Sequence, residues 1–292
     1  MSIVKSLSVG DGDMFYIKHG ADSFSIIDCC MSEEDKDSIV KEIKSESNYK
    51  NVTRFISTHP DDDHILGLDY LDSEMPIRNF YCVKNKATKP DETTDFNKYC
   101  ELRDSKKAFY IIKGCSRKWL NDSNEERISA GIYILWPKTE NEHYKEALKK
   151  AEMGESPNNI SPIVEYSYAD RVTMLWMGDL ESDFMNNIKD DLDLPEVDIL
   201  FAPHHGRDSG KVPKKWLDEM KPKIVIIGEA PSEDLNYYVG YNTITQNSAG
   251  NIMFECSSKK VHIYVFDENY SADFLEDEDM STFSNYIGTL NV

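Results

Sequence analysis

The chain has 292 residues, of which 40% are hydrophobic and 11% aromatic, and its formal net charge is −20. This length and apolar content are sufficient for one large domain with a substantial core. The charge argues against a surface built to bind nucleic acid non-specifically, because phosphate contacts need lysine and arginine. A nucleic-acid substrate stays open, since bound metal ions supply local positive charge.

The sequence has no apolar run long enough to span a bilayer, and residues 1–13 lack the features of a signal peptide. We therefore expect a soluble, cytoplasmic protein with no membrane partner. The six cysteines, including the adjacent Cys29 and Cys30, show no paired metal-ligand spacing. We interpret them as reduced and mostly buried thiols.

The first part of the chain is predicted to form short strands and helices. Within residues 33–47, Ile39 and Ile43 recur at helical spacing, and the aspartates before Ile65 favour a helix start. Residues 72–130 contain two apolar runs around a polar helix at 93–106, without a chemical motif; they form either a specificity insertion or longer ordinary connections. Apolar runs rich in β-formers predict strands at 3–7, 14–18, 24–28 and 52–58.

The second part continues the alternation of strands and helices. A helix is predicted at 140–153, a hairpin at 162–181 with a turn at Ala169-Asp170, and a helix from Ser182. The acidic end, residues 268–292, is expected to be a loosely attached tail, so the folded domain covers 1–267. Other strands are predicted within 131–137, 197–206, 223–229 and, as a final hairpin, 251–267.

Acids and histidines follow three of these predicted strands. Asp61, Asp62 and Asp63 are crowded between His59 and His64, where like charges repel each other. An isolated run of aspartates is usually helix capping, and a calcium loop fits poorly because its twelfth position would be Asp rather than Glu. The two other strands end in Gly-Asp and in His-His-Gly, and this ordered set favours a metal site.

The spacing of these residues suggests how they could share two cations. His59 and Asp61 are two positions apart and face the same way in an extended loop, while Asp63 and His64 could face a second ion. Asp179 could bridge the pair. Two divalent ions about 3.5–4 Å apart lower the pKa of a shared water. The candidate metal ligands are His59, Asp61, Asp63, His64, Asp179, His204 and His205, with the choice between the last two left open.

These motifs together resemble the metallo-β-lactamase fold, and more narrowly the branch typified by the hydrolase domain of the competence protein ComEC. That branch has aspartate in place of the second histidine of the HxHxDH signature, as Asp61 does here. The resemblance spans nearly the whole chain. It is carried by "HPDDDH" (59–64), "GD" (178–179) and "HHG" (204–206), with "SVGDGDMFYI", "SIIDCC", "NNIS" and "TITQNSAGNIMFE" similar to other family segments.

The resemblance implies an α+β fold, a four-layer αββα sandwich of two mixed sheets flanked by helices, with the metals at one sheet edge. It implies that His59 and Asp61 hold one ion. Asp63 and His64 would hold the other with one of the adjacent histidines, and Asp179 would bridge. Asp63 and Asp179 are then the candidate catalytic residues.

The sequence departs from the family pattern in several places. Many relatives have a further histidine, for which the one candidate is His143 in a charged helical stretch, and we interpret it as a surface residue. Asn158 or Asn159 could take that corner, and such an oxygen-rich site suits Mn²⁺ or Mg²⁺, with Zn²⁺ also open. Arg207 could clamp a phosphate, and Asp28 could orient a ligand histidine.

We expect a metal-dependent hydrolase, and prefer a phosphodiesterase or nuclease because two ions clamp both reacting oxygens of a phosphodiester. The alternatives are a hydrolase of small esters, lactones or nucleotides, and a regulatory subunit that docks a partner protein through its acidic surface or residues 72–130. No Gly-x-Ser-x-Gly motif supports a serine hydrolase. The candidate substrate-binding residues are Asn159, Arg207 and Lys211.

Overall fold

The computed structural model describes residues 1–169 and 171–292, so Asp170 of the predicted turn lies outside the described residues. Among the described residues, no helix is both long and apolar enough to cross a membrane. The elements of the first part of the chain are β1 (Ser2–Ser6), β2 (Phe15–Lys18), β3 (Ser23–Ile27), β4 (Cys29–Cys30), α1 (Lys36–Glu46), β5 (Val52–Ile56), α2 (Asp62–Ile65), α3 (Leu68–Glu74), β6 (Phe80–Cys82), α4 (Thr94–Arg103) and β7 (Ala108–Tyr110).

The second part of the chain alternates strands with short helices and contains three single 3₁₀ turns, at Asn158–Ile160, His204–Gly206 and Asp208–Gly210. Its elements are β8 (Ile132–Trp136), α5 (Glu142–Glu152), β9 (Ile163–Tyr168), β10 (Val172–Trp176), α6 (Ser182–Ile188), β11 (Ile199–Phe201), α7 (Lys214–Met220), β12 (Ile224–Ile227), β13 (Thr243–Thr245), α8 (Gln246–Ala249), β14 (Ile252–Cys256), β15 (Lys260–Val265) and β16 (Tyr286–Asn291).

The strands form two mixed sheets. The larger has nine strands in the order β16-β15-β14-β1-β2-β3-β5-β6-β7, antiparallel from β16 to β3 and parallel from β3 to β7. The smaller has six in the order β13-β12-β11-β10-β9-β8, in which β10 to β13 are parallel. The parallel strands place several loops that follow strands at one edge, where the candidate ligands lie.

Side chains alternate between two cores along the strands of the large sheet. In β2, Phe15 and Ile17 face the small sheet, whereas Tyr16 packs with the helices α1, α3 and α4 on the other face. Helices α5, α6 and α7 contribute buried residues to the core that contains the small sheet. The resulting helix–sheet–sheet–helix order confirms the predicted αββα sandwich with two mixed sheets.

Aromatic packing joins the two sheets beneath the candidate site. The ring of Phe15 in the large sheet lies 5.9 Å from that of Trp176 and 5.0 Å from that of Phe201, measured between centroids. Trp176 and Phe201 stack at 4.5 Å. Because these two residues end β10 and β11, their packing fixes where the following loops begin.

Two predicted boundaries can be compared with this architecture. Within residues 72–130, β6 and β7 extend the large sheet beyond β5, so this region contributes strands to the main fold. At the other end, Tyr286–Asn291 forms β16, which pairs with β15 at the opposite edge. The predicted tail therefore includes a strand, which its acidic composition concealed.

We predict that truncation after Asp267 lowers the free energy of unfolding by at least about 2 kcal/mol, because Leu290 loses its burial and β15 becomes an edge. Urea denaturation followed by circular dichroism measures the change. A matched control carries Asp277→Asn and Asp279→Ser, which remove two exposed acids and keep the strand. Equal stability of the truncated and full chains would contradict a structural role for β16.

Candidate metal centre

Loops from both sheets meet at one edge of the sandwich. His59 and His64 follow β5, Asp179 follows β10, and His204 and His205 follow β11. His59, His64, Asp179 and His205 are almost completely buried, while His204 keeps about 15% of its side chain exposed. Groups that are usually ionised or strongly hydrated are thus withdrawn from water together.

The Asp179 carboxylate lies at the centre of four imidazoles. Its Oδ1 is 3.0 Å from Nε2 of His64. Its Oδ2 is 3.6 Å from Nε2 of His204, 3.6 Å from Nε2 of His205 and 4.0 Å from Nε2 of His59. All four histidines therefore present the same nitrogen to one carboxylate.

The other nitrogen of each ring contacts a different group, which fixes the orientation of the ring. Nδ1 of His64 donates to Asp28 at 2.9 Å, and Nδ1 of His205 is 3.1 Å from Oδ1 of Asp13. Nδ1 of His204 is 2.8 Å from the hydroxyl of Ser209. Where Nδ1 donates, as in His64, the Nε2 lone pair is the one directed at the centre when the ring is neutral. Nδ1 of His205 lies close to Asp13 but makes no hydrogen bond of acceptable geometry.

The tautomer of His59 follows from a neighbouring hydroxyl. Oγ1 of Thr58 donates its proton to Asp28 at 2.6 Å, so it can only accept from Nδ1 of His59, which is 3.1 Å away. Oγ of Ser161 lies 3.2 Å from the same nitrogen and accepts from the Asp179 N–H at 3.3 Å. His59 thus carries its proton on Nδ1 and leaves Nε2 free.

One group of ligand atoms is close enough to surround a single cation. Atoms of Asp13, His64, Asp179 and His205 all lie within 4.8 Å of one another. Asp63 borders this group, with its Oδ2 3.3 Å from Nε2 of His205 and a third of its side chain exposed. Two imidazoles and two or three carboxylates are a donor set for Zn²⁺ or Mn²⁺.

Unsatisfied polar atoms test whether these residues fit a metal ion. Nε2 of His59, Nε2 of His64 and Oδ1 of Asp179 are buried and make no hydrogen bond of acceptable geometry. Burying such atoms without a partner costs about 1–3 kcal/mol each. Their closeness around the Asp179 carboxylate fits bound cations that they would coordinate.

The pKa values of the cluster move in opposite directions. Burial, with His64 nearby, lowers the pKa of His59 to about 3. Burial also acts to lower the pKa of His64, but Asp179 and Asp28 raise it well above its usual value. Burial would raise the pKa of Asp179, but the imidazoles of His64 and His205 hold it well below its usual range. Protons on some imidazoles thus balance the carboxylates, and a metal ion would displace them.

Asp28 orients the loop that carries the first two histidines. Its carboxylate accepts from the backbone N–H of Thr58 at 2.7 Å as well as from the Thr58 hydroxyl and His64. Asp28 is 1% exposed and has a positive φ of 55°. A non-glycine residue in this conformation is strained, and such strain is typical of functional sites.

The histidine loop and the Gly-Asp turn have special backbone conformations. His204 and His205 have φ values of 52° and 56°. Gly178 has φ 50°, and a Cβ there would lie 2.7 Å from Oγ of Ser161 and 2.9 Å from Cβ of Thr58. Glycine is therefore required before Asp179 for both conformation and space.

The structure places Asp61 differently from the residues that surround Asp179. Its carboxylate caps α2 by accepting from the N–H of Asp62 at 3.0 Å. The same carboxylate also accepts from Nζ of Lys89 at 2.8 Å. Among the described residues, the group within 4.8 Å does not include it. His143 is exposed on α5.

The candidate substrate-binding residues lie on two loops near the centre. Nδ2 of Asn159 donates to Glu181 at 2.6 Å, which braces the segment after Asp179. Nη2 of Arg207 is 3.3 Å from Asp11. Lys211 lines a cavity of about 600 Å³. The other lining residues of this cavity are Glu181, Ser182, Asp183, Asn186, Asp208, Ser209, Val212, Pro213 and Lys214.

Sequence reasoning missed Asp13 and Lys89. Asp13 belongs to the turn between β1 and β2, and its N–H donates to the carbonyl of Asp63 at 3.2 Å. A Cβ on the preceding Gly12 would lie 2.5 Å from that carbonyl oxygen. The Gly-Asp-Gly-Asp turn was the available signal, whereas nothing near Lys89 in the sequence points to the site.

Comparison with solved structures finds a metallo hydrolase, Igni18, from the hyperthermophilic archaeon Ignicoccus hospitalis KIN4/I. The match has a TM-score of 0.49 and 13% sequence identity, and it covers 87% of this chain and 100% of that chain. No protein-family model and no curated protein sequence matches the chain. The fold assignment accordingly rests on the two sheets and their helices.

We predict that Asp28→Asn weakens Mn²⁺ binding by about 10- to 100-fold. A neutral amide accepts a weaker hydrogen bond from Nδ1 of His64 than the carboxylate does, so the ring is held less firmly with Nε2 directed at the centre. Isothermal titration calorimetry measures the affinity, and circular dichroism checks the fold. Asp35→Asn, an exposed change away from the centre, is the control. Unchanged affinity in Asp28→Asn would show that the carboxylate does not position His64.

Proposed function

We propose that this protein is a metal-dependent hydrolase. The observation that carries the proposal is the set of buried Nε2 and carboxylate atoms gathered around Asp179, three of which make no hydrogen bond of acceptable geometry. Bound divalent ions would neutralise the carboxylates and lower the pKa of a water molecule toward neutrality.

The residues around Asp179 offer two positions for ions. Asp13, His64 and His205 would hold one together with Asp179. His59 and His204 face Oδ2 of the same carboxylate and would contribute to the other. This supports the bridging role proposed for Asp179 and the expectation of two ions.

Residues of the chain would prepare the site for hydrolysis in distinct ways. Asp28 and Thr58 accept from Nδ1 of His64 and of His59, which directs Nε2 of both rings at the centre. Asp63 is a third exposed and its Oδ2 lies 3.3 Å from Nε2 of His205, so its carboxylate would face a metal-bound water from the solvent side. Burial of the rest excludes bulk water and strengthens the electrostatic interactions.

A phosphodiester is the proposed substrate class, and a nuclease related to the ComEC-type branch is the specific form. Arg207 directly follows the histidine loop and is partly exposed, and its Nη2 lies 3.3 Å from the exposed acid Asp11. Lys211 adds a second cation on the cavity next to Ser209, which contacts His204. Two cations beside a metal pair suit a substrate with anionic oxygens.

A second candidate is hydrolysis of a small ester, lactone or nucleotide. The cavity of about 600 Å³ is within the size range of small-molecule sites. Glu181, Asp183 and Asp208 also line it, and these acids would repel a long polyanion more than a compact substrate.

Substrate assays with Mn²⁺ test the proposal and separate the candidates. We expect turnover of bis-p-nitrophenyl phosphate together with linear DNA, single-stranded DNA or RNA, loss of activity with EDTA, and its return with added Mn²⁺. Turnover of only esters or lactones would favour the second candidate. Metal binding without turnover of any substrate would contradict a hydrolase acting alone and favour a partner-dependent subunit.

We predict that Asp179→Ala lowers turnover by at least about 100-fold and reduces bound metal, because it removes the carboxylate that all four histidines face. Asp63→Ala should lower turnover as well. Mass spectrometry gives the metal content, and bis-p-nitrophenyl phosphate gives the rate. Asp35→Asn, an exposed change away from the centre, is the control. Full activity of Asp179→Ala would refute the bridging assignment.

A further inference from the structure

Lys89 is held in a fixed place beside the candidate metal centre. The preceding residue, Thr88, is tied to the end of α5 by two hydrogen bonds, from its N–H to Ala151 O at 3.0 Å and from its hydroxyl to Glu152 O at 3.1 Å. Nζ of Lys89 lies 5.8 Å from the ring centroid of Phe96. Only 14% of the lysine side chain is exposed, so its position is built into the fold.

The Lys89 ammonium binds two of the three consecutive aspartates. Nζ is 2.8 Å from Oδ1 of Asp61 and 2.8 Å from Oδ1 of Asp62. Burial alone would lower the pKa of Lys89, but the hydrogen bonds to both acids raise it above its usual value. The lysine is therefore charged at neutral pH and stays on these carboxylates.

Asp61 is well placed in the chain to serve the second metal position. It follows His59 by two residues and has an extended backbone conformation, φ −81° and ψ 157°. His59 and His204 face Oδ2 of Asp179 but bring no carboxylate of their own to that position. A hard divalent cation at that position would gain most from a carboxylate ligand. Asp61 could supply this carboxylate, but Lys89 binds it.

We propose that Lys89 competes with a metal ion for Asp61, so that the ion at Asp13, His64, Asp179 and His205 binds tightly and the ion beside His59 and His204 binds weakly. This inference rests on the proposed metal-dependent function and adds a control of how many ions the centre holds. Occupation of the second position requires Asp61 to leave the ammonium, which Asp62 alone then retains. The ion pair thus sets the metal concentration at which the centre becomes dinuclear.

Titration of metal-free protein with Mn²⁺ by isothermal calorimetry tests the proposal. We expect the wild type to show one tight site and a second at least about tenfold weaker. Lys89→Met should raise the affinity of the second site by at least about tenfold, and Lys89→Arg should keep the wild-type pattern. Lys86→Met is the matched control, since Lys86 pairs with Glu152 at the surface.

Two further variants address the role of Asp61. Asp61→Asn alone should keep the tight ion. When it is combined with Lys89→Met, it should abolish the increase in second-site affinity that Lys89→Met produces. Two equal sites in the wild type, an unchanged second site in Lys89→Met, or loss of the tight ion in Asp61→Asn would each overturn the proposal. Metal-dependent turnover by the wild type, measured separately, would leave the proposed function intact in those cases, whereas a wild type that binds no Mn²⁺ would refute both.

Discussion

The architecture of the site depends on one buried carboxylate. Asp179 is 2% exposed, and the Nε2 atoms of four histidines lie within 4.0 Å of its oxygens. A lone carboxylate at this depth would be strongly destabilising, so the arrangement needs positive charge from protonated imidazoles or from a metal ion. The surrounding features serve that need: glycine before Asp179 permits the turn, and Asp28, Thr58 and Ser161 fix the rings that face it.

The αββα layers give these groups their common location. Parallel strands of both sheets end at one edge, and the stacked rings of Phe15, Trp176 and Phe201 hold the two sheets in register just below it. The loops can then carry strained conformations, such as the positive φ angles of His204 and His205, because the packed layers beneath them are rigid. Different residues therefore stabilise the scaffold and set the geometry of the site.

Charge is distributed unevenly around the centre. The chain as a whole is strongly acidic, with a net charge of −20, yet Lys89, Arg207 and Lys211 lie on loops near the histidines. Arg207 pairs with Asp11 and Lys211 lines the cavity of about 600 Å³, whereas Lys89 is committed to Asp61 and Asp62. In the competition that we propose, lysine and a metal ion are alternative partners for Asp61, which would link the number of bound ions to a single ion pair.

Local patterns in the sequence were sufficient to predict α1, α4 and α5, the main strands and the clustering of His59, His64, Asp179 and the adjacent histidines, because hydrophobic periodicity and motifs next to strand ends are local signals. The αββα layers were predicted from the resemblance to the metallo-β-lactamase fold. Tertiary structure alone decided three things. It turned Asp61 toward Lys89, 28 residues away; it brought Asp13 from the first turn to His205; and it gave the acidic end a strand, β16, on the large sheet. Each depends on contacts between distant segments, and the energy of such contacts is set by the packing of the whole fold rather than by neighbouring residues in the chain.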